Sequence, residues 1–310
     1  MDNILASIIV CTYNRSDLLF DTLISLTRQS VPAEKYEILV IDNASTDNTS
    51  FIVQELIQKH RNLRYVYEPE QGLSFARNRG VIEAAASIVV YIDDDAIAQY
   101  HWLENVLRSF NCDPRPACVG GRVYLRWEGG KRPSWIPDEL LPAYGFLDMG
   151  DEPGPLQHAN GLNMAFSKEV IVQLGGFATS IGRIGRKLIA GEESDLQLQI
   201  RIAGFPIRYE PNAIVEHWIP LPRQSPEYLY NIFYNLGVTD SLRRRLHFSV
   251  TRLDSFKLIV RSIENLVLVT RRLLTDLRNG KDKSHCKYIW NCELRKVLGF
   301  VIQELSLFGR

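Results

Sequence analysis

The chain has 310 residues, 45% of them hydrophobic and 23% charged, a composition that can bury a large core and excludes an intrinsically disordered protein. Its five cysteines contain no CxxC pair, so neither a disulfide framework nor a zinc site is indicated, and a reducing compartment is expected. The net charge is zero, but residues 220–310 carry 16 Lys and Arg against 8 Asp and Glu, whereas residues 1–219 carry 20 against 28. The two parts are therefore expected to meet different partners.

The amino terminus lacks a basic region before its short apolar run, and that run leads into the polar segment CTYNR. We interpret it as a first strand and not as a signal peptide. No stretch of the sequence reaches the roughly 18 uncharged apolar residues that a membrane span requires. A cytoplasmic location is expected.

In the first hundred residues, short β-branched or aromatic runs alternate with polar stretches of helical spacing. The runs predict strands at residues 7–13, 37–43, 63–69 and 87–95. The first two intervening stretches each carry an apolar helical face, formed by Leu18, Leu19, Thr22, Leu23 and Leu26 in one and by Ile52, Val53, Leu56 and Ile57 in the other. This alternation predicts a doubly wound α/β domain whose mostly parallel sheet is covered on both faces.

The predicted strands end in four polar clusters, TYNR, DNASTDNT, EPEQG and DDD. In doubly wound sheets, ligands bind outside the carboxyl ends of the strands, so these clusters mark the expected site. The segment after the first strand has no GxGxxG, and the chain has no Walker lysine loop. A dehydrogenase or a P-loop NTPase is therefore not indicated.

The run of Asp93, Asp94 and Asp95 is the most unusual of these clusters. Adjacent carboxylates repel one another unless a cation is present, and hard oxygen ligands suit Mg²⁺ or Mn²⁺ shared with phosphate oxygens. The run thus predicts a metal site that binds a diphosphate. The alternative is a solvated turn that caps a helix starting near His101. In extended geometry, Asp93 and Asp95 share a side and Asp94 points away.

The later part of the chain divides into three predicted regions. Residues 110–160 are rich in Pro, Gly and Trp and predict short strands and a long loop. Residues 191–218 predict a helix that begins with acidic residues and ends at Gly204, followed by a strand. After Pro220 the sequence predicts basic amphipathic helices. The expected organisation is one large α/β domain over residues 1–219 and a basic, amphipathic helical extension over residues 220–310.

Six segments, in this order and spacing, resemble the landmarks of family 2 glycosyltransferases with a GT-A fold: ASIIVCTYNR, VIDNASTDNT, GLSFARNRG, DDD, GLNMAF and GEESDLQLQIRIAGF. The resemblance covers residues 5–218. It implies an α/β GT-A fold, Rossmann-like, with a mostly parallel central sheet flanked by helices. It also implies a nucleotide-diphosphate sugar donor, with a UDP sugar expected, and Mg²⁺ or Mn²⁺ as cofactor.

The resemblance implies roles for particular residues. Asp95 would bind the metal, with His217 as a second ligand or a structural residue. The donor side would comprise Thr12, Asn14, Asp42, Arg77, Asp93 and Asp94. Asp42 matches a residue that contacts the nucleobase, although an Asx turn or a helix cap is an equal alternative, and Asp47 could share either role. Arg77 could instead bridge loops.

Glu193 stands where the family usually has the Asp that acts as general base, so the carboxylate is one methylene longer here. Asp195 is the competing base, and the acidic segment would also favour a helix amino terminus electrostatically. The acceptor and donor-sugar side would include Asn160, Gly161, Asn163 and Glu192. Direct displacement with a single base implies inversion at the anomeric carbon.

Three roles are open for the basic helices of residues 220–310. They could pack on the catalytic domain, form a dimer, or dock on an anionic membrane that presents a lipid-linked or growing polysaccharide acceptor. The last would place the protein at the inner face of the cytoplasmic membrane, in polysaccharide or glycolipid synthesis. Nucleic-acid binding is not expected, because the tail lacks interleaved aromatics and any known reading motif. Two alternative functions stay open, a non-catalytic scaffold that retains the nucleotide pocket and a nucleotidyltransferase.

Overall fold

The computed structural model describes residues 4–183 and 190–308. The parts of the two predicted domains at residues 1–3, 184–189 and 309–310 lie outside the described residues. The described chain forms two compact units, one of residues 4–126, 145–183 and 192–218, the other of residues 127–144, 190–191 and 219–308. Residues 127–144 belong to the second unit in this division, whereas the sequence analysis assigned them to the domain over residues 1–219.

The first unit carries the sheet and six helices among its described residues. The strands are β1 (Ala6–Thr12), β2 (Tyr36–Asp42), β3 (Leu63–Tyr67), β4 (Ile88–Ile92), β5 (Ala96–Ala98), β6 (Cys118–Trp127), β7 (Gly154–Pro155), β8 (Asn163–Ser167) and β9 (Ile207–Ile219). The helices are α1 (Ser16–Thr27), α2 (Thr49–Ile57), α3 (Leu73–Glu83), α4 (Trp102–Ser109), α5 (Lys168–Gln173) and α6 (Glu192–Ile202). The predicted alternation of strands and helices over the first hundred residues is confirmed.

The strands form one mixed sheet in the order β3-β2-β1-β4-β8-β6-β9-β5, with β7 paired to β9. The first four strands in this order are parallel, whereas β8 runs antiparallel to β4 and to β6, and β5 runs antiparallel to β9. A parallel pair needs a crossover, usually a helix. Residues 128–162, which join β6 to its neighbour β8, contain no α-helix, in keeping with the antiparallel pairing of these two strands. The sheet is parallel only over β3, β2, β1 and β4.

Alternate residues of the central strands point to opposite faces of the sheet, and each face is buried. Ile8 and Val10 of β1 pack with Leu19 and Leu23 of α1 on one face. Ile9 packs with residues of α3 and α6 on the other, among them Ala76, Leu196 and Ile200. The prediction of a sheet covered on both faces is confirmed.

Gly121 of β6 provides a test of how tightly the sheet is packed. A Cβ atom there would lie 2.1 Å from the Ala213 carbonyl oxygen and 2.4 Å from Nδ2 of Asn163. We expect Gly121→Ala to lower the free energy of unfolding, measured by urea titration, by about 1–3 kcal/mol, because the backbone must shift to make room for the methyl group. Gly154→Ala is the matched control, since a Cβ at Gly154 has no neighbour within 4 Å. Equal stability of the two variants would contradict this packing.

The second unit contains the predicted C-terminal helices, which are α7 (Pro226–His247), α8 (Arg252–Arg278) and α9 (Lys283–Phe308). A Cβ at Gly237 of α7 would lie 1.9 Å from the Lys296 carbonyl oxygen of α9, so these two helices pack with their backbones in contact. Glu304 of α9 is fully buried and accepts hydrogen bonds from Ser241 and Arg245, each at 2.7 Å. Within the described part of the chain, no helix combines the length and the apolar composition needed to cross a bilayer.

Candidate active site

The carboxyl ends of β1, β2 and β4 border a cavity of about 150 Å³ in the first unit. Polar side chains form much of its lining, including Thr12, Arg15, Asn43, Gln71, Asp93 and Asp94. The cavity lies at the sheet edge where the sequence placed the ligand site. Its mixture of carboxylates, amides and the guanidinium groups of Arg15 and Arg183 suits a charged, hydroxyl-rich ligand.

Arg15 joins two of the three consecutive aspartates. Its Nη1 donates to Oδ1 of Asp94 at 2.8 Å and to Oδ2 of Asp95 at 2.7 Å. The Ala96 amide donates to the Asp93 carbonyl, so the segment turns and is not extended. This corrects the expectation that Asp93 and Asp95 share a side while Asp94 points away. Asp93 and Asp94 border the cavity, and Asp94 and Asp95 share one cation.

The neighbouring carboxyl groups of Asp94 and Asp95 differ in acidity. Burial raises the pKa of Asp94 above its ordinary value, with Arg15 opposing that rise. Burial acts the same way on Asp95, but His217 and Arg15 outweigh it and hold the pKa of Asp95 below its ordinary value. Asp95 is therefore a carboxylate at neutral pH, as a metal ligand must be.

His217 approaches Asp95 because β5 and β9 pair with Ala96 opposite His217. Nε2 of His217 lies 3.4 Å from Oδ1 of Asp95. Asp95 and His217, a carboxylate oxygen and an imidazole nitrogen, are the residues that would hold Mg²⁺ or Mn²⁺ here. Among residues 4–183 and 190–308, no group of three His, Cys, Asp or Glu side chains could hold a metal. Such ions are commonly held by one or two protein ligands plus substrate phosphates, so this donor set fits.

Asp42 ends β2 and is buried. Its Oδ1 accepts from the Ser45 amide at 2.8 Å, and its Oδ2 accepts from the Tyr65 hydroxyl at 2.7 Å. The first contact reaches the amide three residues on, whereas an Asx turn reaches two residues on; Asp47 makes such a contact with Thr49. Asp47 caps two helices, since it accepts from the amides of Ser16 and Thr49, each at 3.0 Å.

Thr12 and Asn14 occupy the end of β1 and the loop after it. Thr12 donates from Oγ1 to Oδ2 of Asp94 at 2.8 Å. Asn14 adopts a φ of 52°, which Asn tolerates better than most residues, and its Oδ1 accepts from the Thr46 amide at 2.7 Å. Thr12 thus belongs to the aspartate cluster, whereas Asn14 connects the loops after β1 and β2.

Arg77 of α3 contacts the start of α6. Its Nη1 lies 2.5 Å from Oε1 of Glu192 and 3.5 Å from Oε2 of Glu193, and its Nη2 donates to the Gly161 carbonyl at 3.3 Å. Its side chain is only 4% exposed, and the ring of Phe177 lies 5.5 Å from the guanidinium carbon. These are the contacts of a bridging arginine, the alternative that the sequence left open.

The three carboxylates in the first turn of α6 have different surroundings. The side chain of Glu193 is 17% exposed, whereas that of Glu192 is 1% exposed and Asp195 is 1% exposed. Oδ2 of Asp195 accepts from Nε2 of Gln199 at 2.9 Å. Glu193 is therefore the carboxylate of this turn that a substrate can reach.

The pKa values of Glu192 and Glu193 are shifted in opposite directions. Burial raises the pKa of Glu192 to about 7, and the neighbouring Glu193 adds to the rise against the opposing effect of Arg77. Burial also raises the pKa of Glu193, but Arg77 and His158 outweigh it, so that pKa lies below its ordinary value. Groups whose surroundings separate their pKa values in this way are candidates for acid–base roles.

The segment around residue 160 divides between the site and the core. A Cβ at Gly161 would lie 3.4 Å from Cγ of Glu193, so Gly161 lies beside this carboxylate. The Asn160 amide donates to the Gly145 carbonyl at 2.8 Å. Asn163 is 1% exposed; it accepts from Nε1 of Trp102 at 2.9 Å and donates to two strand carbonyls. The structure therefore places Asn163 inside the sheet and not on the acceptor side.

Arg15 and Asn43 line the cavity but were not among the predicted site residues. Arg15 lies in the quoted TYNR segment, and a cation after β1 opposite three carboxylates after β4 was a usable signal. Asn43 donates to the Glu70 carbonyl at 2.6 Å and accepts from the Gly72 amide at 2.7 Å. Asn43 follows Asp42 at the same strand end, but no feature of the sequence distinguished it from a turn residue.

The model of the family described as Glycosyl transferase family 2 matches residues 7–175, which is more than half of the chain. The chain belongs to glycosyl transferase family 2. The resemblance found in the sequence is thus confirmed, and this family 2 protein is a glycosyltransferase.

Two similar curated proteins come from Haloferax volcanii. Glucosyl-dolichyl phosphate glucuronosyltransferase is 24% identical over 216 residues, covering 68% of this family 2 chain and 68% of that protein. Glycosyltransferase AglE is 26% identical over 212 residues, covering 68% of this chain and 66% of that protein. The chain therefore spans about two thirds of the length of each relative.

Among solved structures, the mannosyltransferase PcManGT from Pyrobaculum calidifontis, in complex with GDP-Man and Mn²⁺, has a TM-score of 0.65. It is 20% identical, and the likeness covers 98% of this chain and 87% of that chain. This likeness shows that the family 2 chain has the GT-A fold.

Proposed function

We propose that this glycosyltransferase transfers a sugar from a nucleotide-diphosphate sugar, with UDP as the expected nucleotide, to a hydroxyl group of an acceptor, with inversion and with a divalent metal. The approach of His217 to Asp95, at 3.4 Å, carries this proposal. Asp95 itself does not line the cavity but follows Asp94, which does. The neighbour bound to GDP-Man and Mn²⁺ supports it.

Asp95 and His217 would hold Mg²⁺ or Mn²⁺, which when bound would offset the negative charge of the diphosphate leaving group. Arg15 supplies a second positive charge at the same carboxylates, 2.7 Å from Asp95. Asp93 faces the cavity from the same turn, where it suits the ribose or an outer contact of the metal. The chain's own residues thus provide both the ligands and a cation for the diphosphate side.

Thr12, Asn14, Asp42 and Asp94 are proposed to border the nucleoside. Thr12 and Asp94 line the cavity and are hydrogen-bonded to each other. Asn14 and Asp42 fix the loops next to it through the amides of Thr46 and Ser45. Their role in this proposal is to set the shape of the nucleoside pocket.

Glu193 is proposed as the general base that removes the proton of the acceptor hydroxyl. Its lowered pKa keeps it ionised at neutral pH, and its partial exposure allows an acceptor to approach. Arg77 is proposed as the positioning residue that orients Glu193, with Glu192 as its closer partner. Asn160 and Gly161 would lie on the acceptor side, with Gly161 next to this base. One base and direct displacement give inversion.

The acceptor is proposed to be a saccharide or a lipid-linked saccharide, in polysaccharide or glycolipid synthesis. The Haloferax volcanii relative whose name includes glucosyl-dolichyl phosphate supports a lipid-linked acceptor. We propose a cytoplasmic protein that contacts the inner face of the cytoplasmic membrane through its C-terminal helices.

The donor is tested by measuring nucleotide release from a panel of UDP and GDP sugars with Mn²⁺. We expect release of UDP from one sugar nucleotide at a rate at least tenfold above that from any GDP sugar. Preferential release of GDP would contradict the proposed nucleotide. If no donor is hydrolysed and calorimetry detects no metal-dependent binding of UDP or GDP, the proposal of a nucleotide-sugar donor is wrong.

A further inference from the structure

We propose that the outer face of α8 docks on an anionic lipid bilayer. Docking would give the enzyme access to a lipid-linked acceptor, and in this respect the proposal rests on the proposed function. The residues that carry the proposal all lie in the second unit, and lipid binding by them does not require turnover.

The outer face of α8 carries a continuous row of exposed apolar side chains, which we call the α8 stripe. Its members are between 38% and 62% exposed: Leu253, Phe256, Val260, Ile263, Val267 and Leu274. Spacings of three, four and seven residues keep the stripe on one side of the helix over about 30 Å. Ser255 and Leu273, on the opposite side, are buried. Contiguous exposed apolar surface of this kind marks an interaction site.

Basic side chains border the α8 stripe. At 100° per residue, Arg271 and Lys257 lie next to the stripe on one side, Arg261 and Arg272 lie further round on that side, and Glu264 is an acidic exception beside the stripe. Across its length, α8 has six Lys and Arg against three Asp and Glu. Two of the acidic residues have local partners, since Asp254 caps α8 and Asp276 pairs with Lys281 at 3.2 Å. An apolar face beside a cationic border is typical of helices that lie in an anionic membrane interface.

The segment that leads into α8 also exposes apolar side chains. Leu246 is 39% exposed and Phe248 is 62% exposed, and Arg244 near them is also exposed. Together with Phe256 they provide aromatic and aliphatic side chains that suit the interface between headgroups and acyl chains.

A second copy of the chain fits the α8 stripe less well. The spacing resembles a coiled-coil seam, in which charged residues beside the apolar positions choose the partner. An antiparallel pair centred on Glu264 would bring Lys257 of one copy next to Arg271 of the other, and Glu264 next to itself. A parallel pair would place Arg252 next to Lys257. Both arrangements oppose like charges, whereas an anionic bilayer complements the border.

Sedimentation of the full chain with lipid vesicles tests the proposal. We expect binding to phosphatidylcholine vesicles that contain about 30 mol% phosphatidylglycerol, and much weaker binding to pure phosphatidylcholine, because each basic residue near an anionic surface strengthens binding about fivefold. Arg271→Gln with Arg272→Gln should therefore lower the partition coefficient about 25-fold. Phe256→Ser with Ile263→Ser should lower it at least tenfold.

Phe51→Ser with Ile82→Ser is the matched control, because these apolar side chains of the first unit are 65% and 74% exposed but lie off α8. We expect this control to bind like the wild type. Absence of wild-type binding to the anionic vesicles, or an equal loss in the control, would overturn the proposal. So would light scattering that shows a wild-type dimer converted to a monomer by the stripe variants. Hydrolysis of the donor, measured on the same samples without lipid, should be the same in the stripe variants as in the wild type. Absence of donor hydrolysis by the wild type would count against the proposed function and not against the docking surface.

Discussion

Glu193→Gln should lower kcat for sugar transfer by about 10²- to 10⁴-fold, the contribution expected of a general base. Glutamine retains the shape of the side chain and an oxygen that can face Arg77, which lies 3.5 Å from Glu193, but it cannot accept the proton of the acceptor hydroxyl. KM for the donor should change little, because the donor is proposed to bind at the cavity beside β1 and β4. Single-turnover kinetics with saturating donor and acceptor measure this effect.

Glu192→Gln is the matched control for this variant. Burial raises the pKa of Glu192 to about 7, so this residue carries a proton for part of the time at neutral pH, and glutamine reproduces its protonated form. We expect a kcat loss of less than tenfold. If Glu193→Gln retains wild-type kcat while Asp195→Asn loses it, Asp195 is the base and the assignment to Glu193 is wrong.

The pH dependence of kcat separates a base from a structural carboxylate. Because Arg77 and His158 lower the pKa of Glu193 below its ordinary value of 4.5, its protonation should reduce kcat only below about pH 4.5. This limb is best measured in the Glu192→Gln variant, which removes the carboxyl group that titrates near neutrality. Arg77→Lys, which loses the forked geometry, should move the acid limb to higher pH. An unchanged limb would show that Arg77 does not set the ionisation of Glu193.

Asp95→Asn should reduce metal-supported turnover by at least about 10³-fold, because it removes a charged ligand from an ion expected to provide several kcal/mol of transition-state stabilisation. The same change weakens the ion pair with Arg15 and the contact with His217. Titration of turnover with Mn²⁺ should show a weaker apparent affinity as well as a lower maximum.

Asp94→Asn is the matched control for Asp95→Asn. Asp94 shares Arg15 and is equally buried, but the pairing of β5 with β9 brings His217 to Asp95. We expect its affinity for Mn²⁺ to stay within about tenfold of the wild type. Thermal unfolding of both variants shows whether lost activity reflects lost structure. Equal losses of Mn²⁺ affinity in properly folded Asp94→Asn and Asp95→Asn would contradict the assignment of the metal to Asp95.

The features that the sequence predicted are those set by local patterns. Strand runs, the apolar face of α1 and the polar strand ends depend on residues close together in the chain, and parallel pairing then brings the strand ends to one edge. The sequence could therefore place the polar strand ends along one edge of the sheet, whereas the strand order β3-β2-β1-β4 was not predicted.

The features that the sequence did not predict depend on contacts between distant residues. Arg77 matches a family landmark, but its partners lie 84 to 116 residues away, and no local pattern distinguishes a nucleotide contact from a bridge to α6. Asn163 lies in a segment typical of an acceptor site, yet its side chain donates hydrogen bonds to carbonyl groups of β6 and β9. The turn at Asp93 to Ala96 overrides the alternation that an extended strand would impose.

Metal dependence is tested by measuring turnover of the preferred donor in excess chelator and again after addition of Mn²⁺. We expect chelator to reduce nucleotide release from the wild type to background, Mn²⁺ to restore it, and Asp95→Asn to recover at most about a thousandth of the wild-type rate. Full turnover in chelator, or full recovery of Asp95→Asn, would contradict a metal held by Asp95 and His217.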